Sequence, residues 1–128
     1  MSKRVVLVLF VVIVLIGGII LMVVQQTSEP EVKAFEISDY QYYINNFSSE
    51  KILGSVMDSE AAKKKAEDLW LELYGNNIKK KKPYQVFFDS KNEIWMIQGT
   101  LPLNRAGGVP YLLIEMKTGK VLAVWHDK

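Results

Sequence analysis

YQVFFDSKNEIWMIQGT, residues 84–100, reads as two strands joined by a short polar link. Two runs rich in aromatic and branched side chains, Tyr84 to Asp89 and Ile94 to Thr100, flank the polar Ser90-Lys91-Asn92-Glu93. Such residues favour a pleated backbone, and so short a link between two strands makes an antiparallel hairpin. Toward the C-terminus, Val109 to Met116 and Val121 to His126 repeat the composition across Lys117-Thr118-Gly119-Lys120. A four-stranded antiparallel meander is therefore expected. Its strands do not alternate cleanly: Leu112, Ile114 and Met116 line one side of the third, but Tyr111 and Leu113 occupy the other before Glu115. A sheet with one face in water would carry polar residues there. Either the N-terminal segment covers the second face, or the sheet curls around a partly apolar concavity.

Upstream, the period changes from two to between three and four. Ala62, Ala66, Leu69, Trp70 and Leu73 mark the apolar stripe of a helix. Asp58 or Ser59 can cap it, Glu60 lies in its first turn, and Gly75 stops it. Lys63, Lys64 and Lys65 lie within pairing distance of Glu67, Asp68 and Glu72 along the helix. Before it, Tyr40, Tyr43, Ile44 and Phe47 sit at helical offsets and predict a short helix near 38–47, and Ile52-Leu53-Gly54 reads as a turn. The expected fold is α+β: helices packed on a curved four-stranded antiparallel sheet, over residues 37–128.

Ahead of that domain, Val5 to Val24 contains only Val, Leu, Ile, Phe, Met and Gly. At about 1.5 Å per residue the run reaches roughly 30 Å, a bilayer's hydrocarbon thickness. A cleaved signal is the rival, but its apolar core is usually about 7–15 residues, and Gln25-Gln26-Thr27-Ser28-Glu29-Pro30 offers no small-x-small cleavage site. An uncleaved transmembrane anchor over 5–24 is expected. Lys3 and Arg4 precede it and keep residues 1–4 cytoplasmic, which places the domain on the other side. Residues 25–36, polar and containing Pro30, read as a stalk. Of 16 basic side chains, Lys3 and Arg4 lie before the run, which leaves 14 against 14 acidic ones. That balance gives no concentrated basic surface for nucleic acid. The chain has no cysteine, so disulfides, thiolate catalysis and thiolate metal sites are excluded.

Candidate chemistry is sparse. His126 is the lone histidine, and no motif links it to a nucleophile or completes a metal set, so neither catalysis nor a cofactor is expected. Ala106-Gly107-Gly108-Val109-Pro110 lacks the Gly-Lys-Ser/Thr ending of a phosphate loop and precedes a strand, so it reads as a turn or bulge. Lys79-Lys80-Lys81-Lys82, with Arg105, is a candidate surface for an acidic partner or anionic lipid, or a solvated loop. Trp70, Trp95 and Trp125 read as core or pocket lining.

The order of features from Glu60 to Lys128 carries a resemblance. It comprises a helix with Trp70 and Tyr74-Gly75, then Lys81-Lys82-Pro83-Tyr84, Ile94-Trp95-Met96-Ile97-Gln98-Gly99, Gly107-Gly108-Val109-Pro110-Tyr111 and Thr118-Gly119-Lys120-Val121-Leu122. The set resembles bacterial immunity proteins with a nuclear transport factor 2 type fold. That resemblance implies a cone-like α+β fold and neutralisation of a cognate polymorphic toxin by direct binding, with no cofactor. It makes Trp70, Gly75, Trp95, Gly107, Gly108, Pro110, Tyr111 and Gly119 fold-defining residues. An anchored domain outside the cytoplasm would meet its toxin there or during passage through the membrane. The alternatives are a PepSY-like inhibitory or interaction module and a small-ligand-binding domain of the same cone fold.

Overall fold

The computed structural model describes residues 31–103 and 107–127. The span expected at Val5–Val24 and the candidate Arg105 lie outside them. Among the described residues, no helix is long and apolar enough to cross a membrane.

The chain runs β1 (Val32–Ala34), a 3-10 turn (Ile37–Tyr40), α1 (Gln41–Asn46), α2 (Ser59–Tyr74), a second 3-10 turn (Asn76–Lys81), β2 (Gln85–Asp89), β3 (Ile94–Gln98), β4 (Pro110–Glu115) and β5 (Val121–His126). Strand order in the sheet follows the chain. β2 to β5 form the expected antiparallel meander. β1 adds a fifth strand, parallel to β2, with Val32 beside Val86 and Ala34 beside Phe88. The sheet is thus five-stranded and mixed rather than four-stranded and antiparallel, and its first strand lies within the segment read as a stalk. Three exposed residues have no alternation to reveal them. β1 exists because the free edge of β2 offers backbone partners.

Helix α2 matches its sequence signals. The Asp58 carboxylate accepts from Ala61 N–H at 2.7 Å, and the Gly75 N–H donates to Leu71 O at 3.0 Å. Its buried stripe, Ala62, Ala66, Leu69 and Trp70, packs on one sheet face with Val86, Trp95, Ile97, Leu112, Ile114 and Val121. Both indoles find acceptors across this layer: Trp95 Nε1 donates to Val56 O at 2.8 Å and Trp70 Nε1 to Tyr111 O at 3.3 Å.

On the opposite face, Met96, Leu113, Ala123 and Trp125 are buried beneath Phe35, Ile37, Tyr40, Tyr43 and Ile44. The N-terminal segment therefore covers the second face. Its hold is aromatic: Trp125 stacks between Tyr43, at 4.2 Å and 17°, and Tyr111, at 4.9 Å and 4°. The edge of β5 is also closed, because Val124 N–H donates to Phe47 O and Val121 N–H to Lys51 O. A covered edge cannot template pairing with another chain.

Candidate interaction surface

Strand register gathers one end of the sheet. Gln85 pairs with Gln98, Gln98 with Tyr111, and Tyr111 with Trp125. The start of β2, the exit of β3, the start of β4 and the last residues of β5 therefore lie side by side. Val32 opposite Val86 brings Glu31 to the same end. The C-terminus of α2 reaches it too, since the Tyr74 ring lies 5.4 Å from that of His126.

The four candidate lysines stand here on a shaped turn rather than a loose loop. Gly75 has φ 83°, a conformation open chiefly to glycine, and turns the chain from α2 into the 3-10 turn. Ile78 is 2 % exposed and pins that turn to the core. At its far side, Thr100 N–H donates to Lys81 O at 2.7 Å and the Thr100 hydroxyl to Pro83 O at 2.6 Å. Lys82 is already engaged, 3.2 Å from Glu67 and 5.7 Å above the Tyr84 ring. The Tyr84 hydroxyl donates to the same carboxylate at 2.6 Å. That bond, aided by Lys82, holds the Glu67 carboxyl below its ordinary value, while burial and Glu67 push the Tyr84 hydroxyl up. Lys79, Lys80 and Lys81 have no carboxylate within ion-pair distance among the described residues.

The Gly-Gly-Val-Pro-Tyr stretch builds the neighbouring part of this end, laced together by Asp127. Its carboxylate accepts from Val109 N–H at 2.7 Å and from the Tyr111 hydroxyl at 3.1 Å. Burial, and then Asp127, push the Tyr111 hydroxyl up to about 12. Gly107 has φ 119°, and Gly108 lies so close to the Asp127 main chain that a Cβ there has no room. Pro110 is buried at the start of β4. Exposed apolar side chains rim this end: Leu101 is 41 % and Leu103 92 % exposed, which leaves both free for a partner. His126 is exposed, with Nδ1 2.6 Å from Asp127 O. Trp95 and Gly119 lie elsewhere: Trp95 in the layer under α2, and Gly119 in the β4–β5 turn at the opposite end of the sheet.

One organising residue had no sequence signal. Asp89 is 4 % exposed, and its carboxylate accepts from Ile37 N–H at 2.9 Å and from the main-chain and side-chain N–H groups of Asn92 at 3.0 Å each. It ties the N-terminal cover to the β2–β3 hairpin. The Asn92 side chain and then Ile37 N–H hold the Asp89 carboxyl below its ordinary value, outweighing its desolvation. A depressed folded value means stability that is complete above the unfolded value, about 3.9, and lost as pH falls through the folded one. Asp89→Ala should lower the free energy of unfolding by about 1.5–3 kcal/mol at neutral pH. In urea titrations over a pH series, the gap to wild type should narrow below about pH 4. A gap unchanged down to the acid limit would refute this role. The adjoining cleft, about 600 Å³ between Phe35–Asp39 and Phe88–Asn92, holds this same carboxylate with its hydrogen bonds already made within the protein.

A family model described as an NTF2 fold immunity protein matches residues 61–128, which take in α2 from its third residue and all of β2 to β5. No curated protein and no solved structure matches the chain.

Proposed function

The chain belongs to the NTF2 fold immunity protein family, and from that premise we propose that it neutralises a cognate bacterial toxin by direct binding, without turning over a substrate. The observation that carries this reading is the family match, which spans the helix and the four-stranded meander that make the core. The site chemistry supports it. Among the described residues no three His, Asp or Glu side chains group as a metal site, and the lone imidazole contacts a main-chain oxygen and a tyrosine ring rather than a nucleophile. Both sheet faces are filled by the protein's own side chains, which favours a surface binder over a small-ligand cone.

The second part of the proposal is location. Val5–Val24 is long and apolar enough, at about 1.5 Å per residue, to span a bilayer. Lys3 and Arg4 orient the domain away from the cytoplasm. Immunity then acts on toxin arriving from outside or crossing the membrane. Co-expressing the full chain with its cognate toxin should restore growth, and the tagged chain should retain the toxin in a pull-down. Continued killing with no complex, by a chain that accumulates normally, would overturn the reading.

A further inference from the structure

The lysine turn and the leucine rim share one end of the sheet with the point where the chain joins it. Thr100 binds Lys81 O, so Leu101 and Leu103 follow directly from the turn's contact. β1 brings Glu31 alongside the start of β2, only a few residues from Lys82. In the sequence, residues 25–30 alone separate Glu31 from the apolar run ending at Val24. Six residues reach at most about 20 Å even when fully extended. Lys79, Lys80 and Lys81 are unpaired within the described residues and presented by a turn anchored through Ile78. Leu103, three residues beyond Thr100 in the same β3–β4 connection, is 92 % exposed.

We propose that this end is a lipid-contact surface, with Lys79, Lys80 and Lys81 binding the anionic headgroups of the bilayer and Leu101 and Leu103 settling at the headgroup–acyl boundary. The inference rests on the membrane anchoring proposed above. Cations beside aliphatic side chains are the combination that binds an anionic interface. The charge component acts only within a Debye length, about 8 Å at physiological salt, so the short connection matters. An acidic protein would satisfy the lysines as well, but would not account for their sharing the end of the sheet at which Glu31 leads into β1. Docking here turns the opposite end outward, with the β2–β3 hairpin, the Lys117–Lys120 turn and the exposed Ile52 beside Lys120.

The chain has no cysteine, so single labels are unambiguous. Full chain carrying Leu103→Cys or Ile52→Cys, each with an environment-sensitive fluorophore, would be reconstituted in vesicles of phosphatidylcholine alone or mixed with phosphatidylglycerol. The label at 103 should shift to the blue and be quenched by lipid-borne quencher in mixed vesicles. It should return to its aqueous spectrum in high salt or in Lys79→Glu/Lys80→Glu/Lys81→Glu, whose melting curve serves as the folding control. The label at 52 should stay aqueous throughout. A chain that resists alkaline carbonate extraction but keeps an aqueous label at 103 overturns the lipid surface alone. So does a shift equal in both vesicle types, or one that appears only on adding the toxin. Release of the chain by carbonate overturns the anchoring, and this surface with it.

Discussion

Trp70→Ala should lower the free energy of unfolding by about 3–5 kcal/mol. The indole is fully buried between α2 and the sheet, packs edge-on to Tyr84 at 5.2 Å, and donates to Tyr111 O. Truncation removes one of the two indoles of the helix–sheet layer and leaves a cavity that a four-stranded meander and one long helix cannot close. Domains of this size are stable by only about 5–15 kcal/mol, so the loss is a large share of the total. Trp70→Phe keeps the ring in the layer and loses the N–H donor, and should cost less than the alanine variant. Urea unfolding of the full chain in detergent, followed by far-ultraviolet circular dichroism, checks both. A midpoint within error of wild type for Trp70→Ala would mean that α2 does not pack as described.

Gly119→Ala should cost about 2–5 kcal/mol, from two independent sources. Its φ of 72° is left-handed, which costs a side-chain-bearing residue about 1–2 kcal/mol. The added Cβ would also collide with the main chain of Gly54, and overpacking of that kind costs about 1–3 kcal/mol. The contact is backbone, so no rotamer change relieves it. Leu53 N–H donates to Gly119 O at 2.9 Å, so the variant should also loosen the 47–56 segment from the β4–β5 turn. Hydrogen exchange should then rise at Leu53 and Val56. Gly75→Ala is the comparison: it carries a positive φ but has nothing within 4 Å of the new Cβ, so it should show the backbone cost alone. Equal losses at the two positions would argue against the Gly54–Gly119 contact.

These residues also show where the sequence was readable. Trp70 and Gly75 announced themselves through helical spacing and a stop signal, and the strands β2 to β5 through composition and short links. Apolar residues on both faces of β4 leave two arrangements open, and the packing of Phe35, Ile37, Tyr40, Tyr43 and Ile44 over Met96, Leu113, Ala123 and Trp125 shows which one the chain adopts. β1 was hidden because three exposed residues beside Glu31 and Glu36 carry no alternation, and its reason to exist lies in the edge of β2. The charge of Lys79–Lys82 was visible. The burial of Ile78 that shapes the turn was not, nor was the pairing of Lys82 with Glu67, because both depend on contacts across the fold. Asp89 gave no signal for the same reason: its partner Ile37 lies 52 positions away.

Stoichiometric inhibition by contact is tested by titrating the purified cognate toxin with the full chain in detergent and reading the toxin's own activity. Activity should fall linearly and vanish at an equivalence point, with both proteins eluting together in size-exclusion chromatography. Undiminished toxin activity in the presence of excess folded chain, with the two eluting apart, would contradict it.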